Sequence, residues 1–179
     1  MIESAPAYYL WLKPSGRAND LLADTIVRLA RENGGPIFDP HVTLAGPIER
    51  SEDEIFEMCE RFRTRLSRFR IVLDEPLHRP EYFRCVFMRA VPDAPIVRAN
   101  EVSRQVFELP ERPFMPHLSL LYGNHPTDER QRIVNGLPGE LRLSFVADTF
   151  DLILLNGPEP KDWQTVRSWR FIDVPSVLA

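Results

Sequence analysis

The sequence predicts an α+β fold in which short, mainly antiparallel strands outnumber the helices. Apolar periodicity marks about four helices among roughly eight strands, and the helices do not alternate with strands as a doubly wound parallel sheet requires. The chain has 179 residues, 44% of them hydrophobic and 27% charged, enough to bury a core without a metal or disulfides. One compact domain spanning 1–179 is expected.

Tyr8–Lys13 reads as a first strand, closed by Pro14–Ser15–Gly16. Asn19 is placed to cap a helix whose inner face uses Leu22, Thr25, Ile26 and Leu29, and Gly34–Gly35 stops it. Residues 41–44 form a short strand followed by a Gly46–Pro47 turn. Ser51 and Glu54 match a capping box ahead of Ile55, Phe56, Cys59, Phe62 and Leu66 at helical spacing. Phe69–Leu73 and Tyr82–Met88 read as strands, and Pro92 and Pro95 introduce a helix through Phe107. Residues 117–121 form a strand ending at Tyr122–Gly123, and Thr127 caps a helix that ends near Gly136. Residues 141–146, 150–155 and 165–172 complete the strands.

The net charge of −4 argues against wrapping long nucleic acid, which takes a strongly basic surface. It does not exclude a small anionic ligand, which needs only a few local donors. The basic run from Arg61 to Arg70 follows Glu52, Asp53, Glu54, Glu57 and Glu60, the polarity that a helix dipole favours on a solvated face. Cys59 and Cys85 read as buried free thiols. Met1–Pro14 has no signal-peptide pattern and no apolar run reaches membrane-span length. A cytoplasmic monomer without membrane attachment is expected.

Chemistry concentrates in two matching tetrapeptides. His41–Val42–Thr43–Leu44 and His117–Leu118–Ser119–Leu120 share histidine, aliphatic, hydroxyl and leucine, each after a proline, in a chain with 4 histidines. In a strand, i and i+2 face one way, so each histidine shares a face with its hydroxyl while the aliphatic residues point into a core. Two such units meeting across one cleft supply two imidazoles and two hydroxyl donors. Hydrolysis of a cyclic phosphodiester needs a base to deprotonate water and an acid to protonate the departing ribose oxygen, and imidazole holds either role near neutral pH. Thr43 and Ser119 are placed to hold non-bridging oxygens, with Tyr122 as a further donor. A metal site competes for the two histidines, but catalytic zinc takes three protein ligands and no local spacing marks a third; His125 lies in a turn-like Asn124–His125–Pro126. No metal and no cofactor are called for.

The paired motifs, together with YYLWLKPSG, FDPHVTLAG, FRCVFM and FMPHLSLLYG, resemble the two-histidine phosphoesterase superfamily. Within it the chain resembles the cyclic phosphodiesterases of plants and yeast along nearly its whole length. That resemblance implies a LigT-like bilobal fold, with two antiparallel sheets around a central cleft, outer helices, and one motif from each lobe. It gives His41 and His117 the catalytic positions, with His117 as base and His41 as acid, and Thr43, Ser119 and Tyr122 the phosphate. It implies hydrolysis of ADP-ribose 1'',2''-cyclic phosphate to the 1''-phosphate and of nucleoside 2',3'-cyclic phosphates to 2'-phosphates.

Phe83 matches the segment that lines the base or ribose pocket, and Tyr82 beside it follows a loop from which an aromatic can close over a ligand. Trp11 reads either as sheet packing or as a base-stacking platform, whereas Trp163 and Trp169 read as core. Two other functions fit the same motifs. One is binding of RNA ends or cyclic nucleotides without turnover; the other is cleavage of a linear 2'–5' phosphodiester.

Overall fold

The computed structural model describes residues 7–173. Eight strands run β1 (Ala7–Leu12), β2 (Val42–Ile48), β3 (Phe69–His78), β4 (Val86–Ala90), β5 (His117–Leu121), β6 (Ser144–Ala147), β7 (Thr149–Leu155) and β8 (Trp163–Arg170). Four helices, α1 (Gly16–Asn33), α2 (Glu52–Arg63), α3 (Ala94–Val106) and α4 (Thr127–Asn135), lie between them. The α+β class and the antiparallel pairing expected from the sequence are both present.

The strands form one curled sheet in the order β6-β3-β4-β5-β2-β1-β7-β8, antiparallel throughout. This corrects the expectation of two sheets. β2 and β5, which were to belong to separate sheets, pair at Val42 and Leu118. That is the only residue pair joining them, so two four-stranded halves meet at a single point and diverge on either side of it. The seam lies beside both histidines.

Local chemistry explains most elements. Along α2, Ser51 and Glu54 close the capping box, with the Ser51 amide donating to the Glu54 carboxylate at 3.1 Å, and Ile55, Met58, Cys59 and Phe62 face inward. Around Phe62 the rings of Phe107, Phe150 and Phe171 pack edge-on, and Trp169 stacks on Phe150. Each ring so buried contributes on the order of 2–3 kcal/mol. The expectation that Trp169 belongs to the core is met (2% exposed), and both cysteines are buried free thiols. In α3, Asp93 accepts from the Ile96 amide, and the Asn100 amide donates to the Leu44 carbonyl at 2.7 Å, fastening the helix to β2.

Three local expectations are corrected. α1 begins at Ser15–Gly16, so Asn19 sits inside it rather than capping it. Gly46–Pro47 is not a turn but part of β2, where the Tyr9 ring fills the space that a Gly46 side chain would need. Pro47, which has no amide proton, falls where the β1–β2 register shifts. Tyr82–Arg84 forms a 3₁₀ turn before β4 rather than the start of a strand, closed by the Arg84 amide on the Glu81 carbonyl and the Arg79 amide on the Arg84 carbonyl. Among the described residues no helix is long and apolar enough to cross a membrane. The reading of Met1–Pro14 falls in part on residues 1–6, which lie outside the described residues.

Candidate active site

The seam sets the site. With Val42 opposite Leu118 in an antiparallel pair, one step in opposite directions puts His41 beside Ser119 and Thr43 beside His117. By register, each histidine is level with the hydroxyl residue of the other motif where the strands begin to diverge, and shares a face with its own along the chain. Val42, Leu44, Leu118 and Leu120 are all buried, so the alternation expected within both tetrapeptides is present.

The two imidazoles are tethered alike. His41 Nδ1 lies 2.7 Å from the Asp39 carbonyl oxygen, and His117 Nδ1 lies 2.9 Å from that of Met115. A carbonyl can only accept, so Nδ1 carries the proton in both rings and Nε2 keeps its lone pair while the ring is neutral. In each motif that carbonyl belongs to the residue two before the histidine, just ahead of Pro40 or Pro116.

Their surroundings differ. Burial pulls the His41 pKa down to about 4, opposed by its hydrogen bond to Asp39 and reinforced by the nearby charges of Lys13 and His117. The half-buried His117 is also lowered, by burial first, against the Met115 hydrogen bond and with help from Arg84. Both shifts favour the neutral imidazole, and the larger one falls on His41.

Aromatic rings enclose the His41 side. Trp11 lies flat on the His41 imidazole, with centroids 3.5 Å apart and planes 6° from parallel. Trp163 meets Trp11 edge-on at 5.6 Å and His41 at 6.4 Å. Phe38 stacks on Tyr122 at 3.8 Å. Burial raises the Tyr122 phenol pKa, with the Ser119 hydroxyl beside it opposing the shift, so the phenol keeps its proton as a donor. Ser119 Oγ donates to the Phe83 carbonyl at 2.8 Å, tying the 3₁₀ turn to β5. Phe83 and Tyr82 project from that turn, 44% and 36% exposed, over Tyr122.

Every residue singled out in the sequence thus comes to one region: His41, His117, Thr43, Ser119, Tyr122, Phe83, Tyr82 and Trp11. Trp11 is a wall of the site, with one ring face committed to His41. Trp163, read as core, in fact borders it, because the pairing of β7 with β8 sets Trp163 opposite Leu155 and no local pattern encodes that. Phe38 and Lys13 were also missed. Phe38 stands inside the FDPHVTLAG segment and Lys13 inside YYLWLKPSG, and Lys13 lies 3.1 Å from Asp39 and 3.3 Å from Asp151. His125 pairs with Glu129 at 3.3 Å, and His78 with Gln131 and Arg130. Among the described residues no three His, Cys, Asp or Glu side chains are grouped to hold a metal ion.

The family model for the 2'-5' RNA ligase superfamily matches residues 22–159. The chain belongs to that superfamily. It is the two-histidine phosphoesterase group to which the paired motifs pointed. A cyclic phosphodiesterase of Arabidopsis thaliana is 29% identical over 125 residues, 69% of each chain. Among solved structures, Escherichia coli LigT complexed with 3'-AMP matches 95% of this chain and 100% of its own, with a TM-score of 0.66 at 15% identity. The protein TT0787 of Thermus thermophilus covers 92% of this chain and 97% of its own, with a TM-score of 0.61 at 17% identity. At such identities these structures bear on the fold, and the superfamily fold is the one described above.

Proposed function

We propose that the protein hydrolyses cyclic phosphodiesters without a metal, with His41 and His117 as the catalytic pair. The observation that supports this reading is the Val42–Leu118 register, which brings the two histidine–hydroxyl motifs side by side on neighbouring strands. A neutral imidazole Nε2 takes a proton from water as the water oxygen bonds to phosphorus. The Nε2–H of the protonated partner passes to the ribose oxygen as its bond to phosphorus breaks. Thr43 and Tyr122 donate to the non-bridging oxygens, whose charge grows in the transition state, and Ser119 joins them by turning its hydroxyl from the Phe83 carbonyl to the phosphate. The resemblance assigns His117 as base and His41 as acid. Because burial lowers the His41 pKa to about 4, that assignment requires the bound phosphate to favour protonation of His41.

The substrates proposed are ADP-ribose 1'',2''-cyclic phosphate and nucleoside 2',3'-cyclic phosphates, yielding the 1''- and 2'-phosphates. Similarity to a protein named cyclic phosphodiesterase supports a cyclic phosphodiester in general, and the two classes are those that the sequence resemblance implies. Phe83 and Tyr82, exposed beside Tyr122, are the side chains proposed to meet base or ribose. The test is turnover in the presence of a chelator on both cyclic classes and on a short 2'–5' oligoadenylate, with product analysis. Cleavage of a cyclic phosphate with release of the 2'-phosphate supports the reading. Activity confined to the linear 2'–5' substrate, or lost to the chelator and restored by metal, refutes it. Tight binding without turnover would make the site a sensor.

A further inference from the structure

We propose that the notch between the two sheet halves is a second-phosphate subsite, receiving a phosphate on the 5' oxygen of the ribose whose cyclic phosphate reacts. This rests on the hydrolytic reading above for its substrate but on separate residues for its argument. Beyond the Val42–Leu118 pair, β2 leads away through Thr43 to Pro47, while the chain before β5 leads away through Met115 and Phe114. The gap holds a cavity of about 270 Å³ with Thr43 and His117 on its walls. A group bound there is contiguous with the reacting phosphate.

Its charge is opposite in sign to that of the chain as a whole. The chain carries a net −4, yet Arg84, Arg104 and Arg112 line this cavity and no aspartate or glutamate does. Arg84 is already met by Glu81 at 2.8 Å, so the unspent donors belong to the other two. The guanidinium of Arg104, on α3, has a buried Nε with no hydrogen-bond partner. Its ion pair is a 4.0 Å contact with Glu111, whose side chain is 93% exposed. Arg112, from the loop after α3, has no ion pair among the described residues. Burying a guanidinium donor without an acceptor is costly, and planar arginine forks match phosphate oxygens two at a time.

A second cavity, beside Trp11, is the control within the same molecule. It contains the only two lysines, Lys13 and Lys161, but carboxylates already meet both: Asp39 and Asp151 for Lys13, and Glu159 for Lys161 at 2.7 Å. Of the two cavities beside the histidines, the notch is the one whose positive charge is unmet.

The test compares adenosine 2',5'-bisphosphate with adenosine 2'-monophosphate by calorimetry, on the wild type, Arg112→Gln and Arg104→Gln/Arg112→Gln. The bisphosphate is expected to bind about 10- to 100-fold tighter to the wild type. Arg112→Gln should reduce that ratio and the double variant should bring it close to one, with affinity for the monophosphate unchanged. Equal wild-type affinities, or a ratio that survives both substitutions, overturn the subsite. Arg112 is exposed, so its variant remains informative if the double variant fails to fold. In turnover, a 5'-phosphorylated nucleoside 2',3'-cyclic phosphate should exceed its unphosphorylated parent in kcat/KM by a similar factor. ADP-ribose 1'',2''-cyclic phosphate then tells a pyrophosphate source from a monoester. Failure to hydrolyse any cyclic phosphate removes the catalytic reading, whereas the binding ratio still decides the subsite.

Discussion

The two motifs share a pattern and a backbone tether, yet the structure makes them unequal. His41 is buried under the face of Trp11, with Trp163 and Lys13 close by, and its pKa falls to about 4. His117 is half-buried at the edge of the cationic notch, with the Phe87 ring edge-on at 5.2 Å and Arg84 nearby. Identical local chemistry therefore yields two proton affinities, and the difference comes from what each strand half packs against the ring. Unequal affinities are what a pair needs if one member is to be neutral while the other is protonated.

The harshest test removes the imidazoles. His41→Ala and His117→Ala should each lower kcat/KM on a nucleoside 2',3'-cyclic phosphate by about 10³-fold or more, while affinity for the 2'-phosphate product largely survives. If the residues act as a unit, the double variant should be little worse than either single one. A single variant that retains near-normal turnover breaks the pairing.

A smaller effect separates the two in stability. The folded pKa of His41 is depressed below its ordinary 6.5, so the unfolded chain binds the proton more readily. The stabilisation is complete above the unfolded value and is lost as pH falls toward about 4. Urea unfolding should show His41→Gln escaping a loss on the order of 2–3 kcal/mol that the wild type suffers over that range. His117→Gln should change the slope less. Equal slopes for the two variants would falsify the asymmetry.

The mildest probe alters the packing rather than the histidine. Trp11→Leu uncovers the His41 ring and should raise its pKa toward the ordinary value, by about one unit in an NMR titration, leaving His117 nearly unmoved. Phe87→Leu should do less at His117, because Phe87 meets that ring only edge-on. A His41 resonance that titrates unchanged in Trp11→Leu would show that the tryptophan does not set its environment.

Much of this was legible in one dimension. The period of two in His41–Leu44 and His117–Leu120 places the hydroxyls with the imidazoles, and the box at Ser51 and Glu54 starts α2 where it is found. The Tyr82–Met88 segment misled because Tyr82 and Phe83 are strand-forming residues held in a 3₁₀ turn by backbone hydrogen bonds and by Ser119. Trp163 misled because an aromatic in an apolar strand looks the same whether it faces a core or a cleft.

The sequence by itself determined the class of fold, the two histidine units and their hydroxyl partners, because these follow from periodicity and side-chain chemistry within a few residues. Only the tertiary structure decided that one sheet, joined by Val42 and Leu118, carries both units. It also decided that Trp11 and Trp163 close over His41, and that Arg84, Arg104 and Arg112 meet beside His117. Those relations depend on strand order and on the divergence at a single pair, and contacts between distant segments leave no mark in local spacing.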